Sequence, residues 1–124
     1  MSIDRRRAPQ ERRQNDRVPA VFAVKKAIAG HDGRPSRDIQ LCQAEDIAPA
    51  GMTIKRPRGS AVLARTEVAL SFALPGSRDE ISARGVVVSD ASIGSFRRTG
   101  VRFIALAPEH APQLIAGYCR RRPV

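Results

Sequence analysis

Apolar residues recur at every second position over several stretches of the chain, which is the spacing of strands with one face buried. Three such stretches lie at residues 67–74, 81–89 and 98–105. Their in-phase members are Val68, Leu70 and Phe72; Ile81, Ala83, Gly85 and Val87; and Val101 and Phe103. Turn-forming Pro75-Gly76-Ser77-Arg78 separates the first two stretches. The pattern predicts consecutive antiparallel strands in the second half of the chain.

The first half has the same organisation in shorter pieces. Residues 21–29 predict a strand that ends at the turn signal Gly30-His31-Asp32-Gly33-Arg34-Pro35. Residues 38–46 follow, with Ile39 and Leu41 alternating against Gln40 and Cys42, and predict a half-buried strand. The turn at 48–51, in which Gly51 could take a positive φ, leads into extended residues 52–54. Residues 38–54 therefore predict a hairpin.

Only the end of the chain has helical spacing. From Pro108 to Arg121, an apolar face is formed by Leu114, Ile115 and Tyr118, and arginines at the C-terminal end oppose the helix dipole. Six short strands with frequent turns and one terminal helix predict an all-β fold. We expect a small six-stranded antiparallel β-barrel, followed by a C-terminal α-helix from about residue 108.

The length of 124 residues corresponds to one domain. Residues 1–16 lack hydrophobic periodicity apart from Ile3 and contain Pro9, so we expect a flexible basic arm there and the barrel and helix over 17–124. The net charge of +10 is concentrated at the two ends. The abundance of arginine fits phosphate recognition or, equally, the codon usage of a GC-rich genome.

Several function classes are not favoured. No apolar stretch reaches the ~20 residues of a membrane span and no secretory signal is visible, so a cytoplasmic protein is expected. Cys42 and Cys119 have neither metal-site nor disulfide spacing, and no cofactor motif occurs. His31 and His110 do not neighbour a nucleophile in sequence, so we do not expect an enzyme. Four Phe, one Tyr and no Trp give little support for nucleic-acid binding by stacking.

The most informative polar cluster lies just before the first apolar run, in Arg12-Arg13-Gln14-Asn15-Asp16-Arg17. A guanidinium is planar and always charged, and its donors match two phosphate oxygens. It also stacks on rings and donates to the acceptor edge of guanine. Arg12, Arg13 and Arg17 are therefore candidates for binding a guanine nucleotide.

A second motif, Asp46-Ile47-Ala48-Pro49-Ala50-Gly51, follows at the predicted hairpin. Together with Arg13-x-x-x-Arg17, it resembles the RxxxR and [D/N]xSxxG signature of the PilZ domain family of cyclic di-GMP receptors. The resemblance covers residues 12–106 and includes Gly100-Val101-Arg102-Phe103, which is similar to a late strand of the family.

The resemblance implies a role for each matching residue. Arg13 and Arg17 would wrap over cyclic di-GMP and contact its phosphates and the O6 and N7 atoms of guanine, and Arg12 would add a contact or a stacking face. Asp46 would accept hydrogen bonds from guanine, and Gly51 would let the turn approach the ligand. The family has Ser where this chain has Ala48, so one hydroxyl is missing.

The resemblance thus implies a receptor that orders its arginine arm on cyclic di-GMP and then signals to an unidentified protein partner. One alternative is a degenerate domain of this kind, which does not bind the ligand and acts through protein contacts. A second is a non-specific nucleic-acid binder that uses the basic ends, which we consider unlikely for the reason given above.

Overall fold

A computed structural model of the chain describes residues 17–28, 39–57 and 61–121. The expected arm, 1–16, lies outside the described residues. The described part is almost entirely β-structure with one helix at its end. The elements are β1 (Val18–Pro19), β2 (Ala23–Ile28), β3 (Gln40–Ala48), β4 (Gly51–Pro57), β5 (Glu67–Ala73), β6 (Glu80–Ile93), β7 (Phe96–Ala107) and α1 (Ala111–Arg121). The all-β fold with a C-terminal helix is confirmed.

The strands form one antiparallel sheet that closes on itself. Their order is β1-β3-β2-β5-β6-β7-β4, and β4 also pairs with β3. That last pairing joins the two ends of the sheet, so β2 to β7 make the predicted six-stranded barrel. The two-residue β1 lies outside this ring, on β3.

The register of β2 and β3 determines which side chains enter the barrel. Residues directly opposite each other in an antiparallel pair lie on the same face. Val24 pairs with Cys42 and both are buried, whereas Lys25 pairs with Leu41 and both are exposed. Strand β3 is therefore half-buried as predicted, but its apolar Ile39 and Leu41 face outward and Cys42 faces the core.

The second half of the chain follows its predicted phase. Val68, Leu70 and Phe72 of β5 point inward, as do Ile81, Ala83 and Val87 of β6. The β6–β7 hairpin is longer than predicted, because pairing continues from Asp90–Thr99 to Ile93–Phe96 around a turn at Gly94 with φ of 61°.

Helix α1 packs against β3 and β7 and covers part of the core. Ile115 and Tyr118 are buried and Leu114 is half-buried, which confirms the predicted apolar face. The Tyr118 ring meets Phe22 edge-on with centroids 6.3 Å apart, and Phe22 stacks on Phe72 at 5.6 Å. Since few aromatic residues are present, this trio links the helix, the β1–β2 connection and β5 in one contact group.

Candidate functional site

The two sequence motifs meet where β1, β3 and β4 come together. Arg17 directly precedes β1, and β1 pairs with β3 through Val18–Ile47 and Pro19–Asp46. This short pairing fixes the backbone beside Asp46, although Arg17 is 29 residues away in sequence. The first motif and the second are thus parts of one surface.

Arg17 and Asp46 form a direct contact on that surface. The Nη1 atom of Arg17 donates to Oδ1 of Asp46 at 3.0 Å and lies 3.5 Å from Oγ1 of Thr53. Thr53 is the β4 residue that pairs with Asp46. The side chains of Arg17 and Asp46 are 39% and 29% exposed, so both remain accessible to a ligand. Exposed pairs of this kind contribute little to stability, about 0–1 kcal/mol.

A β-bulge shapes the acidic side of the site. The register of β3 against β4 shifts between Ala44 and Asp46, which leaves Glu45 as the extra residue. Bulges redirect side chains and occur next to functional sites. Glu45 and Asp46 are both half-buried, and each meets its own arginine, because Nε of Arg98 donates to Oε1 of Glu45 at 2.6 Å. That hydrogen bond raises the pKa of the Arg98 guanidinium.

Gly51 begins β4 after the turn at Pro49 and Ala50. The expected positive φ is wrong, because only Gly76 and Gly94 among the described glycines have one. A Cβ atom on Gly51 would instead lie 2.2 Å from the carbonyl oxygen of Val101 on β7. Glycine is needed here because two strands approach each other closely.

Ala48 ends β3 at the same turn and is only 2% exposed. The predicted site residues Arg17, Asp46, Ala48 and Gly51 thus lie along one β3–β4 hairpin and its β1 neighbour. Arg12 and Arg13 lie outside the described residues.

Three residues of this surface were missed by sequence reasoning. Thr53 contacts Arg17, Arg98 contacts Glu45, and exposed Arg102 pairs in register with Gly51. The pairing of β4 with β7 brings residue 102 next to residue 51, a placement that the resemblance of Gly100-Val101-Arg102-Phe103 to a family strand did not predict. The surface therefore carries arginines from β7 as well as from the segment before β1.

The described part of the chain holds no group of three or more His, Cys, Asp or Glu side chains that could bind a metal ion. None of its helices has the length and apolar character needed to cross a membrane. Cys42 and Cys119 are free thiols, and burial raises the pKa of each.

Comparisons with known proteins agree with this architecture. The family model described as the PilZ domain matches residues 11–121. No curated protein matches the sequence.

Three solved structures have the same fold. The Bacillus subtilis inhibitor of motility MotI/DgrA has a TM-score of 0.71 at 17% identity, over 85% of this chain and 47% of that one. The chain thus spans about half the length of that protein. The PilZ domain of CeSA from a cellulose-synthesizing bacterium has a TM-score of 0.57 at 19% identity, over 82% and 95%. The PilZ domain of Escherichia coli YcgR, solved with c-di-GMP, has a TM-score of 0.55 at 11% identity, over 80% and 82%.

Proposed function

Since the chain belongs to the PilZ domain family of cyclic di-GMP receptors, we propose that it is itself a receptor for cyclic di-GMP. The observation that carries the proposal is the contact of Arg17 with Asp46, one residue from each motif, on an accessible surface. A cation and a carboxylate side by side suit a ligand that has anionic phosphates and guanine N–H donors. The YcgR domain of the same fold was solved with this ligand.

The ligand requires fixed positive charge and partners for the guanine edges. Arg13 and Arg17 supply guanidiniums for phosphate and for guanine O6 and N7, and Arg12 adds a third. Asp46 accepts from guanine N1–H and N2–H. Ala48 and Gly51 form the turn beneath the ligand, and Arg102 adds a cation from β7. Each charged hydrogen bond contributes about 1.5–3 kcal/mol net, which supports micromolar affinity after the cost of ordering the ligand and the chain.

Residues 1–16 act in this proposal as a basic arm on the barrel and helix domain of 17–124. Phosphate neutralises the arginines, the arm folds over the β3–β4 hairpin, and the new surface is read by a protein partner. The proposed receptor binds and signals without catalysis or a cofactor, and it works in the cytoplasm, where the dinucleotide is a second messenger.

Calorimetric titration of the full chain with cyclic di-GMP tests the proposal. We expect saturable binding that is lost in Arg13→Ala and Arg17→Ala. The matched control is Arg84→Ala, which removes an exposed arginine paired with Glu67 on another part of the barrel and leaves binding unchanged. Absence of heat up to about a millimolar ligand would overturn the receptor function.

One observation favours a second candidate function. Ala48 lacks the family hydroxyl and is buried, so the chain has one fewer polar group for the ligand. A domain that has lost the ligand and acts through protein contacts would give no heat with cyclic di-GMP. Binding that is displaced by excess duplex DNA and falls steeply with salt would instead indicate a non-specific nucleic-acid binder.

A further inference from the structure

The barrel holds a buried ionic cluster formed by residues of β4, β6 and β7. Its centre is Asp90 of β6, whose side chain is 5% exposed. The Oδ1 atom of Asp90 accepts from Thr99 Oγ1 at 2.6 Å and from Arg56 Nη2 at 3.0 Å. Its Oδ2 atom accepts from Arg97 Nε at 2.9 Å and from the backbone N–H of Val62 at 3.0 Å. Both oxygens of this carboxylate are therefore fully used by other donors.

Lys26 lies beside this cluster, but its ammonium forms no ion pair with Asp90. The residue is 6% exposed, and within the described ranges its ammonium makes no hydrogen bond or ion pair. Burial lowers the pKa of Lys26, and the neighbouring charge of Arg56 lowers it further. Arg56 and Arg97 both pair with Asp90, whereas the Lys26 ammonium has no acidic partner among the described residues. An unmatched buried charge is costly unless something else compensates it.

The ammonium nitrogen of Lys26 must be exposed to solvent or to a cavity, at least in part. No side-chain nitrogen or oxygen of the described residues is both fully enclosed and without a hydrogen-bond partner. Lys26 lines two cavities, and the one of about 410 Å³, between β2, β4 and the segment that precedes β5, is also lined by Arg56 of the ionic cluster. The polar part of its wall also includes Gln40, Arg56 and Thr66, and its apolar part consists of Ile28, Ala61, Val62 and Leu63.

We propose that this cavity binds a small organic anion, whose oxygen accepts a hydrogen bond from the Lys26 ammonium and whose apolar part lies against Ile28, Val62 and Leu63. The volume lies within the range of small-molecule sites, which pair a mostly apolar wall with a few fixed polar groups. A carboxylate or a phosphate on the ligand supplies a negatively charged acceptor for Lys26, because both oxygens of Asp90 already accept hydrogen bonds from other donors.

This site is separate from the one proposed for cyclic di-GMP. Gln40 begins β3 whereas Asp46 lies near its end, so about 20 Å of strand separates these two residues at ~3.3 Å per residue, and about 10 Å of β4 separates Arg56 of the cavity from Thr53 beside Arg17. The anion site does not rest on the receptor function, and each can fail without the other. Loss of cyclic di-GMP binding in Arg17→Ala with retained anion binding would show this independence directly.

The test titrates the full chain with two series of probes by NMR chemical shift: acetate, butanoate and hexanoate, and the monoalkyl phosphates with matching chains. We expect saturable binding that strengthens about threefold to fourfold for each added methylene group, because each one is transferred from water to the apolar wall. The series whose members bind more tightly shows whether the site prefers a carboxylate or a phosphate head group. Absence of saturable binding in both series would overturn the proposal.

Two variants make the assignment specific. Lys26→Met keeps the length of the side chain and removes its charge, and we expect at least a tenfold loss of affinity. The control is Lys25→Met, on the neighbouring exposed residue, which leaves affinity unchanged. Leu63→Ser, at a 78% exposed position where folding is not at risk, weakens hexanoate but not acetate. Equal hexanoate affinity in Lys26→Met and the unaltered chain, with both folded by thermal melting, would refute the site.

Discussion

The guanidinium of Arg17 and the carboxylate of Asp46 contact each other at 3.0 Å. Two groups proposed to hold cyclic di-GMP are thus already oriented by each other. The pair is accessible and costs little to separate, so a phosphate can compete for Arg17 while guanine takes the freed acceptor of Asp46. The contact thus orients the two side chains of the proposed site relative to each other.

Asp46→Asn retains the shape of the side chain but removes the charge that orients Arg17 and that we propose accepts hydrogen bonds from guanine. We expect the affinity for cyclic di-GMP to fall at least tenfold in calorimetry, with the free energy of unfolding changed by less than about 1 kcal/mol. The control is Glu45→Gln, which alters the adjacent carboxylate paired with Arg98. Equal losses in both variants would mean that general surface charge, and not Asp46, determines binding.

Ala48→Ser restores the hydroxyl of the family signature at a buried position. If the ligand reaches this turn, the hydroxyl gains a hydrogen-bond partner on binding and the dissociation constant should fall about tenfold. Titration of the variant and the unaltered chain under the same conditions measures the change. Unchanged affinity together with a lower melting temperature would show that residue 48 belongs to the core and does not meet the ligand.

Gly51→Ala places a methyl group 2.2 Å from the carbonyl oxygen of Val101, where β4 and β7 are in contact. Because backbone atoms must move to relieve the overlap, we expect a loss of about 3 kcal/mol in the free energy of urea unfolding. Ala50→Ser, at an exposed position of the same turn, should change stability by less than about 0.5 kcal/mol. A stable Gly51→Ala variant would contradict the close approach of the two strands.

Asp90→Asn tests the buried ionic cluster through its pH dependence. Burial alone would raise the pKa of Asp90, but hydrogen bonds from Thr99, Arg97, Val62 and Arg56 outweigh it and hold the pKa well below the usual range. The carboxylate therefore stabilises the fold fully above about pH 4, and this contribution is lost as the pH falls through the lowered pKa.

We expect Asp90→Asn to cost about 3–5 kcal/mol at pH 7, since it leaves buried arginines without their anion. The difference in the free energy of unfolding between the variant and the unaltered chain should become smaller below about pH 4, as measured by urea unfolding at each pH. Asp79→Asn is the control, because Asp79 is 56% exposed and pairs only with His110 among the described residues. A gap that stays constant between pH 7 and pH 3 would exclude the ionised carboxylate as the cause.

The sequence predicted the strands best where large apolar residues alternate. Val68, Leu70 and Phe72 are buried as expected because no competing pattern runs on the other face of β5. On β3 both faces carry apolar residues, and the pairing of Val24 with Cys42 decides between them. That pairing joins segments that are far apart in sequence, so the residues of β3 alone do not predict which face is buried.

The candidate site, like the strands, was predicted only in part from the sequence. Arg17, Asp46 and Gly51 carry a recognisable spacing, whereas Arg102 and Arg98 come from β7 and reach the site only through strand register. The Asp90 cluster was missed because arginine and aspartate on a strand are expected to be solvated. Burial is possible because four groups from other segments of the chain donate hydrogen bonds to Asp90, and only the structure shows this.

The closure of β3 onto β4 has a consequence for how other molecules can engage the barrel. Within the described residues, every strand of the ring has a hydrogen-bonded neighbour on each side. A flexible peptide that binds by adding a strand needs a free edge, and among the described strands of the ring such edges remain where β6 continues beyond its pairing with β5 at Val86 and where β7 continues beyond its pairing with β4 at Arg102. Over the fully paired part of the ring, recognition therefore uses side chains on the outer wall, and repeated self-association by edge pairing, the usual start of fibril growth, is disfavoured there.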